Sequence, residues 1–247
     1  MTRRQLLALA ALALPIGCKS PAPQAIRGPR KKGLCLSSKK RPPQEVAKFL
    51  ESVGARWLYN WNIEPPEILP AGVEYIPMIY KGRWGVDKAL ARVKAGVSLH
   101  GYSELMGFNE PDTFSQSGNS LDTGNTNEAD FSSTRSMEKA VELWPRLEAM
   151  DLPLVAPCPA NMTNGWLADF YTRANAQGYR VDYTAKHSYG SPGNGSSDGL
   201  VNGVLEGYTL WGKPMWLTEF SFVDWGGTSS WSEEDCYNCL AEFLWRA

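Results

Sequence analysis

The stretch Ser103-Glu104-Leu105-Met106-Gly107-Phe108-Asn109-Glu110-Pro111-Asp112 begins as a short apolar run and stops abruptly at Asn-Glu-Pro. The same pattern returns at Pro214-Met215-Trp216-Leu217-Thr218-Glu219-Phe220-Ser221, another apolar run closing on a carboxylate. Outward from these two, further strand-like runs occur at Gly33–Leu36, Trp57–Trp61, Tyr75–Tyr80, Leu154–Pro157 and Val181–His187. Between them lie amphipathic stretches at Pro42–Val53, Val86–Ala95, Ser133–Met150, Trp166–Gln177 and Leu200–Trp211, and a last one opens at Ser232. In the first, Val46, Phe49, Leu50 and Val53 share one helical face. Strands that are almost continuously apolar and alternate with helices imply a parallel sheet covered by helices. Repeated around one domain, such units predict an α/β chain of the (β/α)8 TIM barrel type. A doubly wound sheet is the alternative, but it would carry a glycine fingerprint after its first strand, and Gly33-Leu34-Cys35-Leu36-Ser37-Ser38 has none. No eighth strand is predicted before Ala247. That would leave the edges of the first and seventh strands open, so the sequence reads as part of a longer reading frame.

The 247 residues are 43% hydrophobic and 21% charged, with a formal net charge of −1. This supports a single well-buried domain over 32–247. Near-neutral charge gives no footprint for nucleic acid. The chain opens differently: Arg3 and Arg4 precede the apolar run Leu6–Leu14, too short to span a bilayer. Residues 1–18 therefore read as a bacterial export signal with twin-arginine character. Ile16-Gly17-Cys18 resembles a lipoprotein cleavage box with Pro15 in place of the usual Leu, so lipidation of Cys18 and plain secretion both stand. Residues 19–31, rich in Pro and basic side chains, read as a tether. A secreted, periplasmic or cell-surface monomer is expected, with no membrane contact beyond that lipid.

A barrel builds its site from residues just after the strands. Here these are Ser37, Asn62, Lys81, Asn109-Glu110, Asn161, His187 with Tyr189, and Glu219. Two strand-end carboxylates are what glycosidic bond cleavage needs: one protonates the leaving oxygen, the other attacks or stabilises the sugar cation. The apolar residues flanking both would dehydrate them, which favours the protonated form of a carboxyl. Asn109 is placed to hold a sugar 2-hydroxyl, and His187 and Tyr189 to touch substrate. Trp61, Tyr80, Trp84 and Trp216 are candidate platforms for the apolar face of a sugar, although ten Trp and ten Tyr must mostly serve the core. His100 belongs to the opposite face, between helix and strand. No cofactor or metal is expected. Cys236-Tyr237-Asn238-Cys239 has no second pair, and the phosphate-loop imitation at Gly207–Pro214 has Pro where Ser or Thr must bind magnesium. No serine-hydrolase elbow is present.

Met106–Asp112, Ala185-Lys186-His187-Ser188-Tyr189 and Pro214–Phe220, in this order and spacing and with the opening Lys32-Gly33-Leu34, resemble glycoside hydrolase family 128. The likeness runs from Lys32 to Ala247. It implies a retaining endo-β-1,3-glucanase acting on β-1,3-glucan, with Glu110 as acid/base, Glu219 as nucleophile and Asn109 at the 2-hydroxyl. The alternatives are a retaining β-1,4-glucanase or mannanase on the same barrel, and a non-catalytic β-glucan-binding surface protein.

Overall fold

The computed structural model describes residues 32–37, 39–82, 85–124, 126–192, 196–224, 227 and 231–246. The export signal, the tether and Trp84 lie outside the described residues. The chain divides into two units, Met1–Arg30 and Lys31–Ala247, and all that follows concerns the second.

Strands and helices alternate as β1 (Gly33–Cys35), α1 (Pro43–Ser52), β2 (Trp57–Tyr59), β3 (Glu74–Tyr75), α2 (Val86–His100), β4 (Leu105–Met106), α3 (Ser133–Glu148), β5 (Leu154–Val155), α4 (Trp166–Ala176), β6 (Thr184–Gly190), α5 (Ser196–Trp211), β7 (Met215–Phe222) and α6 (Glu233–Arg246). Local chemistry sets the ends. Pro43 occupies the first turn of α1, where its missing N–H costs nothing. The Ser132 hydroxyl caps α3 by accepting from Arg135 N–H. Along α3, Met137, Ala140, Val141, Trp144 and Leu147 are buried, the spacing of one helical face. His100, expected in a loop, is instead the last residue of α2.

All strand pairs are parallel. β1, β2 and β3 form one sheet, β4 and β5 a second, β6 and β7 a third. Isolated bridges Met78↔Met106 and Val155↔Tyr183 carry the pairing from β3 to β4 and from β5 to β6, and Asn109↔Cys158 extends that between β4 and β5. The strands thus succeed one another in chain order, as a barrel's do. The expectation of a continuous barrel wall needs correcting, because the sheets do not close. β1 packs beside β7, but no ladder joins them among the described residues. Several strands are only two residues long, and Pro77, Pro153 and Pro157 beside them have no N–H to extend a ladder.

β6 begins three residues later than its apolar run suggests. The Asp182 carboxylate accepts from Leu154 N–H at 2.7 Å, so a side chain occupies the place of a ladder partner there.

Two apolar layers result. Outside the strands, Leu58, Ile79, Leu105 and Leu154 pack against Leu50, Val93, Trp144 and Phe170 of the helices. Inside them, Trp57, Tyr59, Ile76, Met78, Met106, Val155, Cys158 and Ala185 form a second cluster, bordered by Cys35, Trp61, Tyr80 and Trp216. This inner layer is the floor on which the site stands.

Candidate active site

Glu219 leaves β7 towards the inner layer and is buried. Its Oε1 accepts from the Trp61 indole N–H at 2.7 Å and from the Tyr59 hydroxyl at 3.2 Å. Its Oε2 accepts from the Tyr189 hydroxyl. Trp57 and Tyr59 alternate along β2 and so face the same way, and Trp61, beyond the strand at a left-handed corner, joins Tyr59 at the carboxylate. Burial first, and then the charge of Glu219, push both tyrosine pKa values upward. The phenols therefore stay protonated donors at any ordinary pH.

Glu110 stands on the facing wall with its side chain 19% exposed, against 7% for Glu219. Its backbone is left-handed, with φ 42°, and Trp61 is left-handed too, with φ 58°. Such conformations cost a non-glycine residue about 1–3 kcal/mol and persist where surrounding bonds over-determine them. At Glu110 those bonds are its own N–H to the Cys158 carbonyl at 2.8 Å, and the Thr113 N–H and hydroxyl to its carbonyl at 3.2 and 3.1 Å. Asp112 completes the clamp. Its buried carboxylate accepts from Ala160 N–H at 2.7 Å, Asn161 N–H at 2.9 Å and the Asn164 amide at 2.8 Å.

His187 lies between the two carboxylates. Its Nδ1 is 3.1 Å from Glu110 Oε1, and its Nε2 is 3.4 Å from Glu219 Oε1. The second approach is an attraction of charges rather than an aligned hydrogen bond. Burial opposes the imidazolium, but the Cys158 sulfur, the Glu110 hydrogen bond and the Glu219 charge outweigh it, and the pKa is pushed up to about 10. The Thr218 hydroxyl donates to the Lys186 carbonyl at 3.1 Å and lies 3.7 Å from Cys158 Sγ, which sets this sulfur beside the strand bearing Glu219. Glu110, His187 and Glu219 each offer a ligand atom within 4.8 Å of the others, a spacing that could hold a cation. A protonated imidazole fills that role itself, because it answers both carboxylates and has no lone pair for a metal.

Around this trio the structure gathers most of the residues singled out from sequence. Asn109 is buried beside Glu110, with its Oδ1 unpartnered among the described residues. Tyr80 stands near both carboxylates, whose charges add to burial in raising its pKa. Asn62 and Trp216 are placed elsewhere. Asn62 is exposed and contributes its carbonyl to Tyr75 and Met78. Trp216, three residues before Glu219, is half-buried at the border of the inner layer, with its ring 4.9 Å from Trp57 and 5.9 Å from Tyr183. Ser37 and Asn161 are exposed, and Lys81 Nζ lies 5.5 Å from the Tyr80 ring. Sequence reasoning missed Tyr59, Cys158, Asp112 and Gln116. For Tyr59 a signal existed in its two-residue spacing from Trp61.

Two facing carboxylates, one beyond β4 and one within β7, are the kind of pair that glycosidic bond cleavage needs. Residues 36–245 match the family model described as glycosyl hydrolase catalytic core. The chain is 31% identical to an endo-β-1,3-glucanase of family 128, subgroup I, from Amycolatopsis mediterranei, solved in complex with laminaritriose. The match covers 87% of this chain and 81% of that one, with a TM-score of 0.71. It is 25% identical to a family 128 curdlan-specific exo-β-1,3-glucanase from Blastomyces gilchristii in complex with glucose, over 87% of this chain and 82% of that one, with a TM-score of 0.61. A curated relative, alkali-sensitive linkage protein 1 of Schizosaccharomyces pombe, is 27% identical over 173 residues, 70% of this chain. The match spans only 28% of that relative's length. The chain belongs to glycoside hydrolase family 128, within the glycosyl hydrolase catalytic core family.

Proposed function

We propose that this chain is a secreted or surface-anchored endo-β-1,3-glucanase of retaining mechanism, built on a (β/α)8-type barrel. One observation carries the mechanism: an oxygen of Glu110 and an oxygen of Glu219 lie within 4.8 Å of each other. Retaining glycosidases hold their carboxyl groups about 5–5.5 Å apart, and inverting ones about 6.5–9.5 Å, to admit a water. The substrate is supported by the glucanases named above. In the first step Glu110 protonates the glycosidic oxygen while Glu219 attacks the anomeric carbon. The C–O bond breaks, the sugar bearing the new hydroxyl leaves, and a glycosyl ester forms on Glu219. In the second step Glu110 takes a proton from water, the water oxygen attacks the anomeric carbon, and Glu219 departs as carboxylate.

His187 fits this cycle. Its Nδ1, 3.1 Å from Glu110 Oε1, is placed to orient the carboxyl that serves as acid and then base. Tyr59, Trp61 and Tyr189 fix the attacking carboxylate, and Asn109 is left to meet the 2-hydroxyl.

The test is reducing-sugar release from laminarin and curdlan, with Glu110→Gln and Glu219→Gln alongside, and the anomer followed by NMR. Release of the β-anomer first, by wild type and by neither variant, is the expected result. Initial α-anomer would refute retention. Activity confined to β-1,4-glucan or mannan would move the substrate, and glucan binding without release would favour a binding protein. Glucose as the first product would favour exo action.

A further inference from the structure

Tyr80 donates its hydroxyl to Oε1 of Gln116. Gln116 belongs to Phe114–Gly118, a wide π-type turn that follows the Asn109–Asp112 corner. Ser117 folds this turn back onto the site, since its N–H, at 3.3 Å, and its hydroxyl both reach the Asn109 carbonyl. Gly118 lets the turn close, because a Cβ there would lie 2.1 Å from the Thr113 carbonyl oxygen. The position of Gln116 is thereby set relative to Glu110 by its neighbours' bonds to the Asn109 carbonyl and by the close turn at Gly118.

The pair stands on one side of the site. The groups that hold Glu219 come from β2 and β6: Tyr59, Trp61 and Tyr189. Tyr80 follows β3, next to β4, and its carbonyl receives the Asn109 N–H at 3.5 Å. In cleavage by two carboxylates the acid stands beside the leaving oxygen, so polar groups on its flank meet the departing sugar. Gln116 is only partly buried. With Oε1 taken by Tyr80, its Nε2 carries two N–H donors and has no partner among the described residues. Those donors suit the oxygen of a sugar hydroxyl.

We propose that Gln116, oriented by Tyr80, binds a hydroxyl of the sugar on the leaving side of the scissile bond. It thereby favours a carbohydrate over other alcohols as leaving group. This rests on the glycosidase reading above, with Glu110 as the acid.

The experiment compares kcat/KM on laminaripentaose, whose leaving group is a sugar, with release of nitrophenol from 4-nitrophenyl β-laminaribioside. Gln116→Ala is expected to lose about three- to tenfold on the pentaose, the worth of one hydrogen bond, and distinctly less on the nitrophenyl substrate. Gln116→Glu keeps an acceptor for Tyr80 but removes both donors, so it should show the same selective loss. It should also show an altered pH profile, because a new charge stands near Glu110. Melting temperatures identify a variant that fails to fold, in which case the other decides. Equal losses on both substrates would assign Gln116 a structural role and overturn the proposal, as would no loss on the pentaose. Wild type cleaving neither substrate would overturn the glycosidase reading, and this inference with it.

Discussion

Trp61 donates its indole N–H to Glu219 Oε1 at 2.7 Å, across 158 positions of sequence. The bond requires Trp61 to leave β2 with a left-handed backbone, φ 58°. Trp61 thus acts on the carboxylate through its polar edge, where sequence alone suggested a stacking face.

Removing that edge while keeping the ring's bulk should therefore impair turnover more than binding. For Trp61→Phe we expect kcat to fall about ten- to a hundredfold, the range for a hydrogen bond to a charged group. Tyr59→Phe, which removes a longer contact of 3.2 Å, should cost less. Steady-state kinetics on laminarin check both; a rise in KM with kcat intact would return Trp61 to a binding role.

His187 gives a pH prediction with a definite sign. Its pKa rises from 6.5 to about 10 in the folded protein. Its stabilising contribution is therefore fully present below about 6.5 and is lost as pH climbs through about 10. The melting temperature of wild type should fall across this window, and His187→Gln should flatten that part of the curve. Parallel melting curves for the two proteins would count against the assignment.

Asp112 satisfies three donors of the loop that follows β5. Asp112→Ala removes the acceptor of all three at a part-buried corner, and a loss of about 1–3 kcal/mol in unfolding free energy is expected. Activity should fall further than global stability explains, because the same corner holds Glu110. Urea denaturation together with kinetics separates the two effects.

Gly118 tests the turn bearing Gln116. A methyl group there would meet the Thr113 carbonyl oxygen at 2.1 Å and its carbon at 2.7 Å, both backbone atoms that yield little. Gly118→Ala should cost about 1–3 kcal/mol and weaken turnover of oligosaccharides, measurable by thermal melts and laminaripentaose kinetics.

Several of these features are legible in the order of residues alone. The apolar runs before Glu110 and Glu219 both contain strands and both carboxylates reach the site, although Glu110 stands beyond β4 and Glu219 lies inside β7. Of the helical face Val46, Phe49, Leu50 and Val53, Val46 and Leu50 are buried as their spacing implies, whereas Phe49 is exposed. Boundaries are less legible. β6 starts late because the Asp182 side chain replaces a ladder contact, and α2 runs on to His100 because Gly101, left-handed with φ 70°, supplies its end. Trp216 packs on Trp57 and Tyr183, contacts that no local pattern announces.

What the sequence by itself determined is the alternation of strand and helix and the place of each carboxylate along the chain. These follow from side-chain period and turn chemistry, which act over a few residues. Only the tertiary structure decided that His187 stands between Glu110 and Glu219, that Tyr59 and Trp61 reach across to Glu219, and that Gln116 folds back beside Tyr80. Those relations depend on which strands lie side by side, on their register, and on left-handed corners at Trp61 and Glu110. Distant parts of the chain impose such conformations against local preference, so no local pattern records them.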